Sequence, residues 1–184
     1  MNNKITFIKF CIILTFSCSS IYAEEVNNSS FTSAYTSIDE KDCLTLDSDN
    51  LGSIQECEAF RDIRVRVVEG DIRQSVTLTH NNKEYILNFQ SIVNSDFSTL
   101  GSKIEWRYEI GNPDNIEGLI LQLEVNDDPD DLDSVTSFLA VSKITENDIC
   151  VIGKVLPQEK QHELARDMLD NSSKMPCLKD INKH

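Results

Sequence analysis

The sequence predicts an α+β fold: an antiparallel β-sheet meander of about seven strands, one C-terminal helix packed against it, and two disulfides. Three observations carry this expectation. Period-two alternation recurs through residues 62–156, the period turns helical after Pro157, and four cysteines survive removal of an N-terminal export signal.

That signal is read over residues 1–23. Lys4 and Lys9 precede an apolar stretch over 10–16, and Ser19, Ser20 and Ala23 place small residues ahead of Glu24. The apolar run is well short of the roughly 20 residues that cross a bilayer, so no membrane span is expected after cleavage. Lipid attachment at Cys18 ranks second, because Phe16 and Thr15 suit such a site poorly. The expected location is therefore periplasmic or extracellular. Residues 24–36 are polar, rich in Asn and Ser, and read as a flexible linker to a single domain over 37–184. Asn27, Asn28 and Asn171 begin glycosylation sequons, which matter only in a host that uses them.

Within the domain, Ile63, Val65 and Val67 alternate with Arg64 and Arg66, the mark of a half-buried strand. Turns at Glu69-Gly70-Asp71 and His80-Asn81-Asn82 separate expected strands over 72–79 and 85–89. The clearest strand is 103–110, with Ile104, Trp106, Tyr108 and Ile110 on one face and Lys103, Glu105, Arg107 and Glu109 on the other. Strands over 116–125, 135–144 and 149–156 follow, joined by short turns, which implies antiparallel neighbours. Leu164, Ala165, Met168 and Leu169 then share one arc of a helix expected over 158–170, with Asn171 as its stop.

Of six cysteines, Cys11 and Cys18 lie in the signal, leaving Cys43, Cys57, Cys150 and Cys177. An even number in an oxidising compartment reads as two disulfides. Local pairing, Cys43 with Cys57 and Cys150 with Cys177, closes loops of about 15 and 28 residues, each worth roughly 3–4 kcal/mol. No two of these cysteines stand two to four residues apart as zinc-binding pairs usually do, so neither metal nor cofactor is expected.

Charge narrows the partners. The net charge of −14 becomes −16 once the signal, with two lysines and no acid, is removed. Such a surface repels nucleic acid and anionic lipid and can attract a basic protein or envelope component. Two acidic segments invite a calcium test. In 47–58, Asp47, Asp49, Gly52 and Glu58 fall at positions 1, 3, 6 and 12 of an EF-hand loop, but Leu51 occupies position 5 and no helices flank it. The segment 127–133 (Asp127, Asp128, Asp130, Asp131, Asp133) contains Pro129 and lacks the spacing glycine, so it reads as a charged hairpin loop. His80, His162 and His184 neighbour no nucleophile motif. Trp106 reads as core. The opposite face, Lys103, Glu105 and Arg107 with Arg64 and Arg66, is the candidate binding surface.

Tyr35-Thr36-Ser37-Ile38-Asp39 before Cys43, Glu56-Cys57, Val68-Glu69-Gly70-Asp71-Ile72-Arg73, Leu100-Gly101-Ser102-Lys103-Ile104-Glu105-Trp106-Arg107, and Cys150-Val151 ahead of Leu164-Ala165 resemble a family of small uncharacterised secreted proteins from proteobacteria. The resemblance implies periplasmic export, the two local disulfides and a sheet with a terminal helix, and no activity. The chain departs from it in the acidic 127–133 loop and in the 55–60 segment. The sequence thus leads us to expect an exported, non-enzymatic binding protein, with a cell-wall or glycan hydrolase and an acidic inhibitor of a basic enzyme as alternatives. Alkylation of the unreduced native protein followed by intact-mass analysis is expected to show a Glu24 terminus and no reactive thiol. A Met1 terminus or four alkylated cysteines would overturn export and pairing together.

Overall fold

The computed structural model describes residues 29–128 and 130–179, the side chains of Leu132 and Asp133 aside. The expected signal over 1–23 with Cys18, the sequons at Asn27 and Asn28, and His184 lie outside these residues.

Ten strands form one sheet: β1 Phe31–Ser37, β2 Leu44–Ser48, β3 Gly52–Phe60, β4 Ile63–Gly70, β5 Arg73–His80, β6 Lys83–Ile86, β7 Ser98–Glu109, β8 Asn112–Asp128, β9 Asp131–Ile144 and β10 Ile149–Val155. A single helical turn, α1 (Phe89–Ile92), follows β6, and the longer α2 spans Gln161–Asp170. The strand order β10-β9-β8-β7-β5-β4-β3-β2, with β6 beside β5 and β1 beside β7, divides the sheet into two five-stranded halves. Each half is antiparallel; they join where β5 and β7 run parallel for one pair, Arg73 opposite Ser98.

The simple seven-strand antiparallel meander is therefore corrected to a mixed sheet of ten. The seven expected strands correspond to β4–β10, and the three additions lie N-terminal to them. β1 replaces the second half of the expected linker: Phe31–Ser37 pairs along β7 from Glu109 to Lys103. Its inward residues are Ala34 and Thr36, opposite Trp106 and Ile104, so small and polar groups hide the period. They are tolerated because Trp106 Nε1 donates to Thr36 Oγ1 at 2.8 Å, satisfying both buried polar groups.

Period two places Cys57, Ile63, Val65, Val67, Val76 and Leu78 of one half against Ile104, Trp106, Leu119, Leu121, Leu123 and Phe138 of the other, in one core. Trp106 is fully buried and stacks on Phe60 with ring centroids 5.0 Å apart. Both local disulfides are present, Cys43–Cys57 and Cys150–Cys177.

A second apolar cluster lies on the outer face of the β7–β10 half, where Ala165 and Leu169 of α2 meet Ile120, Leu139, Val141, Ile152 and Val155. Two glycines let the helix sit this close. A Cβ at Gly118 would stand 2.8 Å from Leu169 Cδ1, and one at Gly153 would stand 2.6 Å from Met168 Sδ. The helix starts at Gln161 rather than 158, because Lys160 turns the chain at φ 61°. Gln161 Nε2 then anchors that start by donating to the carbonyls of Ser137 (2.9 Å) and Val155 (3.0 Å). Asn171 ends it as expected.

Removal of the central aromatic should be costly. Urea unfolding is expected to show Trp106→Ala destabilised by about 3–5 kcal/mol, with Trp106→Phe retaining most of that. A loss below 1 kcal/mol for the alanine variant would contradict the placement of Trp106 at the centre of the core.

Candidate functional site

The inward phase of β3, β4, β5 and β7 changes character toward one end of the sheet. Past Cys57 in β3 the same face carries Gln55 and Ser53, and past Val67 in β4 it carries Glu69. Past Val76 in β5 comes Gln74. Around these residues opens a cavity of about 740 Å³, with Ile38 and Val67 among its apolar lining and the β2–β3 and β4–β5 turns at its rim.

Its lining is acidic: Asp39, Glu40, Asp49, Glu69 and Asp71 contribute carboxylates, and no Lys, Arg or His is among the lining residues. Two of the five have outside cations, since Lys41 Nζ lies 2.8 Å from Asp39 and Arg73 Nη1 lies 2.6 Å from Asp71. The Lys41 hydrogen bond also holds the Asp39 carboxyl below its ordinary value. Glu40, Asp49 and Glu69 have no cationic partner among the described residues. Three negative charges thus line one recess, Glu69 half-buried and Glu40 and Asp49 exposed, and together they set up a field favourable to a cation.

The cavity is braced. Gln74 Nε2 donates to Glu69 Oε2 at 2.8 Å while its Oε1 accepts from the Leu100 amide at 2.9 Å, linking β4, β5 and β7. Asp71 N donates to the Leu51 carbonyl (3.0 Å) and Ser98 N to the Ile72 carbonyl (3.3 Å), so the two rim turns and β7 are tied together. Gln55 is different. It is 7 % exposed, lines the cavity, and its side-chain amide meets no hydrogen-bonding partner among the described residues. Its amide is turned to the cavity rather than sealed in the core, so it is open to a group that enters from outside.

The binding face read from sequence is placed elsewhere. Lys103 is exposed, but Glu105 and Arg107 are buried, at 4 % and 6 %, because α2 lies across them. Arg166 Nε donates to Glu105 Oε1 at 2.5 Å. Arg107 Nε donates to Asp170 Oδ1 at 2.9 Å, with its Nη2 on Asp170 Oδ2. The match is geometric. Residues i and i+2 of a strand are about 6.6 Å apart, and residues i and i+4 of a helix about 6 Å along the axis, so Glu105 and Arg107 face Arg166 and Asp170 in register. The Ser33 hydroxyl of β1 donates to Glu105 (2.6 Å) and accepts from Arg107 Nη1 (3.0 Å), closing the network. Its form is that of a structural clamp: leaving either buried charge unpaired costs about 3–5 kcal/mol. Arg64 is exposed and Arg66 pairs with Glu56 and Glu84.

The other sequence candidates are also located. Segment 47–58 is a β-hairpin, in which Asp49 Oδ1 accepts from the amides of Leu51 (2.8 Å) and Gly52 (3.1 Å). Segment 127–133 is the tip of the β8–β9 hairpin, with Asp128 opposite Asp131. Asp148, Cys150 and Cys177 cluster, but both sulfurs belong to a disulfide and offer no thiolate to a metal. His80 lies beside Asp62, and His162 Nδ1 stands 3.8 Å from Glu105. Among the described residues no helix is long and apolar enough to cross a membrane.

Glu40, Gln55, Glu69 and Gln74 escaped the sequence reading, although Glu69 and Gln74 are in phase with the legible apolar positions of β4 and β5. That phase was the available signal. Compared with family models, curated proteins and solved structures, the chain matches none. The resemblance noted in the sequence therefore lends no function to this site.

Acid should loosen the clamp. Burial alone would push the Glu105 carboxyl up, but the Arg166 guanidinium and the Ser33 hydroxyl outweigh it and hold the group below its ordinary value. Between the lowered folded value and the unfolded value near 4.3, the unfolded chain binds more protons, so stability rises with pH there. Glu105's contribution is full above about pH 4.3 and lost as pH falls through the folded value. Melting curves from pH 7 to 3 are expected to show a Glu105→Gln deficit that is largest at neutral pH and shrinks below that window. A deficit that grew toward low pH would contradict the pairing.

Proposed function

We propose that this chain is an exported, non-enzymatic binding protein whose acidic cavity takes a cationic group from a basic partner. The observation that carries this reading is the recess of about 740 Å³, lined by five carboxylates and no basic side chain, with the unpartnered Gln55 amide on its wall. Two disulfides fit an oxidising compartment, and the periplasm or the exterior is the location that the reading adopts. The acidic β8–β9 tip adds charge of the same sign, which supports a basic protein or peptide as the partner.

A glycan hydrolase is the weaker reading. Its general acid needs a raised carboxyl. Asp39 and Glu105 are both held below their ordinary values by their cationic partners, so neither suits that role, and Glu105 lies under α2.

Calorimetric titration of the mature protein with a short lysine-rich peptide tests the proposal. Binding is expected at about 0.02 M salt and should weaken at least tenfold at about 0.5 M, as the Debye length shortens. Glu40→Gln with Glu69→Gln should weaken low-salt binding by about tenfold, roughly the 1.4 kcal/mol expected of removing two nearby charges. If a glutamate-rich peptide of equal length bound as well, or the double variant bound unchanged, the proposal would fail.

A further inference from the structure

We propose that the ligand is a peptide segment in which a lysine or arginine stands next to a bulky apolar residue, with the apolar side chain seated in a second cavity across the rim. This rests on the cation-binding reading above and names its ligand class.

The second cavity, about 320 Å³, lies on the outer face of the same end and shares Ile72 and Thr99 with the acidic one. Ile72, Phe97 and Val135 give it apolar walls. Ile72 is 63 % exposed and Val135 46 %, so two large aliphatic groups stand uncovered on a strongly charged protein. The surroundings select the occupant's sign. Glu124 lines the notch, and Asp127 and Asp128 follow Asn126 on the adjoining strand. The Arg73 guanidinium, beside the notch, is committed to Asp71 and to the Phe97 ring, 4.6 Å from its centroid. An apolar ligand bearing cations is therefore favoured over a neutral or anionic one.

The two cavities share only Ile72 and Thr99, an arrangement that suits two side chains leaving one backbone rather than an alkyl chain alone, and the Asn126 carboxamide is fixed in the wall of the second. Its Nδ2 donates to the Asp131 carbonyl, while its Oδ1 is buried with no hydrogen-bond partner among the described residues. The rim itself is strained in the direction this role requires. Asp71 and Ile72 form the β4–β5 turn at φ 52° and 58°, a conformation that suits Asn or Gly and is unfavourable for a β-branched side chain. Holding isoleucine there keeps an apolar group on the saddle between the cavities at a cost in stability, the pattern expected where a residue serves binding rather than folding.

The test titrates the full mature protein with three probes: a short peptide alternating lysine and leucine, the same peptide with glycine for leucine, and a short alkylamine. The leucine peptide is expected to bind about tenfold tighter than the glycine peptide, the return for burying part of one aliphatic side chain. Ile72→Asn, which suits the turn, should keep Tm at or above that of the parent protein yet bind the two peptides alike; Val135→Ser, at an exposed site, should do the same to the peptides. Equal binding of both peptides to the parent protein overturns this inference and leaves the acidic-cavity reading standing. Binding of neither overturns both. A leucine advantage that survives in both variants places the apolar side chain elsewhere, and an alkylamine as tight as the leucine peptide replaces the peptide class; either result overturns the inference.

Discussion

A strand leaves an inward-facing side chain two options: join the apolar interior, or be given polar company where it is buried. The architecture of this protein follows from where each option is taken. Along β3, β4 and β5 the inward phase is apolar at one end and polar at the other, and the change marks the boundary between core and cavity. Cys57, Val67 and Val76 end the floor; Gln55, Glu69 and Gln74 begin the walls. Were those three positions aliphatic, the two halves of the sheet could close on each other along their whole length. Their polarity holds the end open, and Gln74 stiffens the opening by bonding to both Glu69 and the β7 backbone.

The outer face of β7 solves the same problem differently. Glu105 and Arg107 are charged at positions the helix must cover, and α2 supplies each with an opposite charge at matching spacing. β1 contributes Ser33, the hydroxyl that both groups share. One face therefore uses ionic complementarity inside the protein to fix a helix, while the other leaves three carboxylates without cationic partners among the described residues. Charges of similar type do opposite work, and what separates them is whether the chain provides the partner.

This difference also explains what could be read from the sequence. β4, β7, β8 and β9 were legible because valine, isoleucine, leucine and tryptophan recur at every second position, and α2 because Leu164, Ala165, Met168 and Leu169 recur at helical spacing. β3 was not legible because Ser53 and Gln55 face a cavity, and β2 because all five of its residues are exposed. β1 was missed because the neighbour that buries Thr36, Trp106, lies 70 residues away. The alternation of Lys103, Glu105 and Arg107 was read correctly as a face, but period alone does not say what lies on that face; solvent and a helix with complementary charge produce the same pattern. The cysteine pairing was accessible from spacing and compartment. The cavity was not, since it depends on β3, β4, β5 and β7 converging through a junction of one residue pair.

The placement of the disulfides bears on how that opening can behave. Cys43–Cys57 joins the residue just before β2 to β3, and Cys150–Cys177 joins β10 to the segment after α2 in the other half. Neither crosslink spans the seam. The walls meeting around the recess are held together by the shared core, by the Gln74 bridge and by the rim hydrogen bonds, with no sulfur bridge across them. Reduction of either bridge would therefore leave the ties that set the width of the aperture in place.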